Sequence, residues 1–216
     1  MLLVALFALT SLVTTGRALS CTKCSSSSNS DCTGGTVNCP AENECSTTHI
    51  ETITQNGTST NIFRSCSPVK QCNMTGSSTF PGGSLRMAIS CCSINNRCSP
   101  SIPKLPEYNT TTQNGKSCSQ CLSINSEQCT PDNSMLCTGN ETNCMRLART
   151  DTGYQTSALA FQGCATESIC KLTSTLFTTS GITTTYNYVC NSASLGLHHG
   201  ALVPLIVFAL LLKLLL

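Results

Sequence analysis

Ten cysteines between Cys21 and Cys98 follow a spacing that the chain begins again at Cys118. Cys21, Cys24, Cys32, Cys39, Cys45, Cys66, Cys72 and Cys91 align with Cys118, Cys121, Cys129, Cys137, Cys144, Cys164, Cys170 and Cys190, and every interval agrees to within one residue. An internal repeat of this kind implies duplicated units, so the chain reads as two copies of one small domain. With 18 cysteines in 216 residues, no tryptophan and 5% aromatic residues, neither copy can bury a large apolar core. Covalent cross-links must supply the missing stability, which places the chain in an oxidising, extracellular compartment.

The flanks fit that compartment. Leu2 to Leu12 form a short apolar run, with Ala18 and Ser20 ahead of Cys21, the pattern of a cleavable secretory signal over residues 1–20. The run stops near Val13, too early for the roughly 20 apolar residues of a membrane span. At the other end, Ala201 to Leu216 is apolar apart from Pro204 and Lys213. Small residues and a mildly polar spacer precede it, so 192–216 reads as a removed glycosylphosphatidylinositol (GPI) attachment signal, with Asn191 the first candidate for the modified residue and Ser192 the second. A single membrane span is the rival reading, but about 16 residues is short for a bilayer and Lys213 would lie inside it. Taking Arg17 and Lys213 out of the 12 basic residues leaves ten facing ten acidic ones. Such a balance carries no electrostatic footprint for nucleic acid and no basic membrane-surface patch.

Between the cysteines the residues alternate strands and turns. His49 to Thr54 and Ser59 to Arg64 flank Asn56-Gly57. Met145 to Thr150 and Gln155 to Phe161 flank Asp151-Thr152-Gly153, giving each copy a long hairpin between its fifth and sixth cysteines. Further hairpins turn at Pro81-Gly82-Gly83 and near Ser180-Gly181, and no segment has a sustained helical period. The domains are expected at 21–98 and 118–191. Ser99 to Ser117, with Pro100, Pro103 and Pro106, reads as an extended linker. Sequons at Asn56, Asn73, Asn109 and Asn140 are candidate N-glycosylation sites on exposed loops.

Spacing alone leaves many disulfide connectivities open, although Cys91 and Cys92 are too constrained to bond each other comfortably. Cys21-Thr-Lys-Cys24, the eight-residue step to Cys32, and adjacent Cys91-Cys92 before Cys98 resemble the lymphocyte-antigen/urokinase-receptor (LU) family. The tandem copies, opening Cys21-Thr-Lys-Cys24-Ser-Ser-Ser and Cys118-Ser-Gln-Cys121-Leu, are most similar to gamma-type phospholipase A2 inhibitors and their anchored relatives. The resemblance implies an all-β, disulfide-rich chain of two tandem three-finger domains. It also implies the pairs Cys21–Cys45, Cys24–Cys32, Cys39–Cys66, Cys72–Cys91, Cys92–Cys98, Cys118–Cys144, Cys121–Cys129, Cys137–Cys164 and Cys170–Cys190. Two departures stand out: Ser99 follows the last cysteine of the first copy where the family commonly has Asn, and Asn191 stands where the second copy would have a ninth cysteine.

Enzyme readings find little support. Cys21-x-x-Cys24 and Cys118-x-x-Cys121 would suit zinc or redox chemistry in the cytosol, but matched cysteines in an oxidising compartment are structural. His198 and His199 lie in the removed tail, which leaves His49 without a second histidine or carboxylate cluster to build a catalytic base. No enzyme activity, metal or cofactor is expected. Recognition then falls to the finger surfaces, with Ile62, Phe63, Leu159, Phe161, Tyr186 and Tyr188 as candidate contacts unless they fill the sheet faces. The expected partner is an extracellular protein bound at the cell surface. A secreted inhibitor of phospholipase A2 and a glycan-bearing coat or spacer protein are the alternatives.

Overall fold

The computed structural model describes residues 19–94, 98–107, 112–154, 156–172, 174–179 and 181–195. The signal segment, the Asn109 sequon, His198, His199 and the C-terminal apolar run lie outside them. The described chain is almost entirely β and divides into two compact units. One comprises Met1–Glu51, Ser59–Met74 and Met87–Leu105; the other comprises Thr52–Thr58, Thr75–Arg86 and Pro106–Leu216.

The first half of the chain forms β1 (Ser20–Ser26), β2 (Gly35–Asn38), β3 (Asn43–Thr54), β4 (Gly57–Pro68), β5 (Thr75–Phe80) and β6 (Gly83–Cys92). In the first unit β1 pairs antiparallel with β2, Cys21 opposite Val37, and with β4, Cys24 opposite Arg64. Its centre is covalent: Cys21, Cys39 and Cys45 are buried, with Leu19, Val37, Cys66, Cys92 and Cys98 packed against them. Bridges join Cys21–Cys45, Cys24–Cys32, Cys39–Cys66, Cys72–Cys91 and Cys92–Cys98.

Arg64, buried on β4, ties the segment after Cys98 to this unit. Its guanidinium holds the Asp31 carboxylate at 2.7 and 2.9 Å and donates to Ser99 Oγ at 2.6 Å and the Pro100 carbonyl at 2.9 Å. Thr47 donates to the same carbonyl, Ser90 to that of Ser101, and His49 Nδ1 sits 3.0 Å from that of Pro103. The proline-rich segment expected to be an extended linker therefore runs against the first unit through Pro103. Its far end differs as well, because Gln113 to Ser117 already belong to a strand.

The second half forms β7 (Gln113–Ile124), β8 (Asn133–Thr138), β9 (Asn143–Gly153), β10 (Ser157–Ala165), a one-turn helix α1 (Glu167–Cys170), β11 (Thr175–Thr179), β12 (Ile182–Ser192) and β13 (Ser194–Leu195). In the second unit the strand order is β11-β12-β9-β10-β5, with β7 joined to β10, β8 and β13. Bridges join Cys118–Cys144, Cys121–Cys129, Cys137–Cys164 and Cys170–Cys190. Cys118, Cys137 and Cys164 make the buried knot, packed by Met135, Cys144 and Ala193. All nine bridges are the pairs the family resemblance implies, and no described cysteine is free.

Three local details differ from the sequence reading. Asp151-Thr152-Gly153 is strand rather than turn, because β9 stays paired with β12 up to Gly153 opposite Ile182. In the first long hairpin the turn falls at Gln55 and Asn56, and Gly57 opens β4 with φ 128°. Where the second copy lacks its final cysteine, β13 closes the chain by backbone pairing, Ser194 opposite Ser117 and Leu195 opposite Lys116.

Candidate protein-binding face

Side chains on neighbouring antiparallel strands that stand directly opposite share a face of the sheet. In the second unit that rule lines up Ile124 on β7, Leu159 on β10, Arg149 on β9 and Tyr186 on β12 as one row. The next row holds Leu122, Phe161, Leu147 and Tyr188, and beyond the first row lie Ser157, Asp151 and Thr184. The centre of this face is covered: Phe161 and Leu147 are buried, and Phe80 of β5 stacks on Phe161 with ring centroids 4.1 Å apart. The rim is open, with Ile124 72% and Leu122 42% exposed, while Leu159, Tyr186 and Tyr188 are half-buried.

A polar clamp fixes this face. Asp151 accepts hydrogen bonds from Ser157 Oγ at 2.6 Å, Thr184 Oγ1 at 2.7 Å and the Arg149 guanidinium at 2.6 and 3.2 Å. One carboxylate thus joins β9, β10 and β12. Burial alone would raise its pKa, but the hydroxyl donors and Arg149 outweigh that and hold it below the ordinary carboxylate value. Tyr186 and Tyr188 run parallel along β12 with centroids 6.3 Å apart. Burial, opposed by Arg149, keeps the Tyr186 phenol above its usual pKa. A rigid patch of tyrosines, aliphatic side chains and an arginine has the composition in which protein interfaces concentrate binding energy.

The six candidate contacts therefore separate. Leu159, Tyr186 and Tyr188 belong to this face, and Phe63 is half-buried on β4 in the first unit. Ile62 and Phe161 are 0% and 2% exposed and present no side chain to a partner. Ile62 lies on the buried side of β4 with Arg64, whereas Phe161 shares the face of Leu159 and is covered there by Phe80, a neighbour that composition could not foretell. Leu122 and Ile124 are exposed members of this face that the sequence reading did not single out; their signal was two apolar residues alternating just after Cys121. Asn56, Asn73 and Asn140 are all exposed, Asn73 with φ 58°. Asn191 and Ser192 end β12, both exposed. His49 is engaged with the Pro103 carbonyl, and the cysteine sulfurs that approach closely enough to suggest a metal site are all in disulfides.

A u-PAR/Ly-6 domain model matches residues 17–101 and again residues 114–198. The chain belongs to the u-PAR/Ly-6 domain family. It is similar to the phospholipase A2 inhibitor NAI of Notechis ater, 29% identical over 145 residues that cover 66% of this chain and 72% of that protein. It is also similar to a phospholipase A2 inhibitor of the gamma type from Laticauda semifasciata, 28% identical over 145 residues, 66% of this chain and 79% of that protein. Among solved structures, mouse TEX101 aligns with 15% identity and a TM-score of 0.33, covering 80% of this chain and 99% of that one.

Proposed function

We propose that this chain is a non-enzymatic glycoprotein of the extracellular surface, held by a GPI anchor, that binds a protein ligand through the finger faces of its u-PAR/Ly-6 domains. The row Ile124–Leu159–Arg149–Tyr186, flanked on the same face by the Asp151 clamp, carries this reading. It offers aromatic and arginine anchors whose ordering cost is already met by the strand ladder and the disulfides. The anchor is supported by the apolar run from Ala201 to Leu216 behind small residues. Attachment at Asn191 would remove Ala193 from the second disulfide knot and the β13 pairing with β7. Attachment at Ser192 would have the same cost.

The runner-up is a secreted inhibitor of phospholipase A2, favoured by the names of the relatives. A soluble form ending at Leu195 decides between partners. Inhibition of a secreted phospholipase A2 at micromolar protein favours the runner-up, and no inhibition excludes it. For whichever protein binds, Tyr188→Ala should weaken affinity by about tenfold or more, as truncation of an interface anchor does. Unchanged affinity in both Tyr188→Ala and Leu159→Ala, measured by surface plasmon resonance, would exclude this face as the binding surface.

A further inference from the structure

A second feature of the second unit lies away from that face. A cleft of about 410 Å³ is walled by β5, the turn between β8 and β9, and the start of α1. Its lining is hydroxyl and carboxyl: Ser77, Thr79, Thr138 and Ser168 with Glu107, Glu141 and Glu167, and no basic residue. Asn140 stands in its wall, exposed, in the sequon Asn140-Glu141-Thr142. The turn that carries it is pinned from several sides. Asn114 Nδ2 donates to the carbonyls of Gly139 and Glu141, Glu141 N–H to Thr138, and Gly139 N–H to Thr112. Whatever is attached to Asn140 therefore leaves the protein from a fixed point at the edge of the cleft.

Glu141 is 4% exposed. Its Oε1 accepts from Ser77 Oγ at 2.8 Å, whereas Oε2 is buried without a hydrogen bond although Thr79 lies near the carboxylate. That oxygen is closed to solvent, so the donors of a ligand in the cleft would meet the lining hydroxyls of Ser77, Thr79, Thr138 and Ser168 and the carboxylates of Glu107 and Glu167. The cleft has the volume of a small-ligand site but lacks the apolar lining that aromatic or acyl ligands need. What it suits is a neutral ligand rich in hydroxyl and amide donors.

We propose that the cleft seats the first sugars of an N-linked glycan on Asn140, so that this glycan is part of the folded second unit. The tether makes seating intramolecular, which lets individually weak hydrogen bonds hold it. The inference rests on the secretory reading of the preceding section. The test is native peptide-N-glycosidase F digestion of the full chain expressed through the secretory pathway, with release at each sequon followed by mass spectrometry. Release at Asn140 should be slower than at Asn56 by about tenfold, the factor that roughly 1.4 kcal/mol of seating gives. The difference should vanish after reduction and denaturation. Glu107→Tyr, at an exposed rim position outside the strands, should crowd the cleft and bring Asn140 towards the rate of Asn56. Equal native rates, a slow rate unchanged by Glu107→Tyr, or an empty Asn140 beside occupied Asn56 and Asn73 each overturn the seat alone. Empty sequons throughout overturn the secretory reading and the seat with it.

Discussion

Asp151 and Glu141 are both buried carboxylates, yet pH acts on them in opposite directions. Asp151 is held below its ordinary value, so it stabilises the fold above the unfolded carboxylate pKa and loses that contribution as pH falls through its folded one. For Glu141, burial raises the pKa and the Ser77 hydroxyl offsets only part of it. Its contribution is therefore full below the unfolded value and lost as pH rises through the folded one. Asp151→Asn should cost about 2 kcal/mol at neutral pH, because it removes a charge-assisted set of bonds across three strands. Urea unfolding should show that penalty shrinking towards acid pH. Glu141→Gln keeps an acceptor for Ser77 and should gain stability over the wild type as pH rises from acid to neutral; a parallel pair of pH profiles would contradict this. Neither residue was legible in the sequence. Asp151 followed by Thr and Gly has the composition of a turn, and only the β12 partner across the sheet makes it strand.

At the scale of the strand, β10 changes neighbour along its length. Leu159 to Gln162 pair with β7, and Cys164 and Ala165 pair with β5. Gly163 stands at the change, where a Cβ would meet the backbone carbonyl of Thr79 at a distance no side chain tolerates. Thr166 and Ser77 then lock the junction with backbone and hydroxyl bonds at 2.9 and 3.1 Å. Gly163→Ala should cost about 1–3 kcal/mol, since the obstacle is backbone and cannot swing aside. Thermal unfolding of that variant should show the loss, and hydrogen exchange should place it at β5 and β10; a wild-type melting temperature would refute the close approach. The long hairpins were readable from their Thr, Ile and aromatic content, although the glycines read as their turns belong to strands. The meeting of β10 with β5 and the closing strand β13 were not, because both are pairings between segments far apart in sequence with no cysteine to announce them.

For the molecule as a whole, the cysteine register made the duplication readable in the sequence, and the family it resembles supplied the all-β fold and the pairing that spacing alone left open. The division into compact units was not readable there. Thr75–Arg86 lies inside the first repeat by sequence and clusters with the second unit in space. The first repeat keeps its Cys92–Cys98 bridge, whereas the second ends in β13 and a short stretch before the apolar run. An anchor at Asn191 or Ser192 would take over at the end of β12, before β13, and would turn a pair of u-PAR/Ly-6 domains into a surface-held receptor or ligand. Phosphatidylinositol-specific phospholipase C applied to intact expressing cells tests this most directly. With a GPI anchor the surface signal should fall and the protein should appear in the medium; retention on the cells while a known GPI-anchored control is released would contradict it.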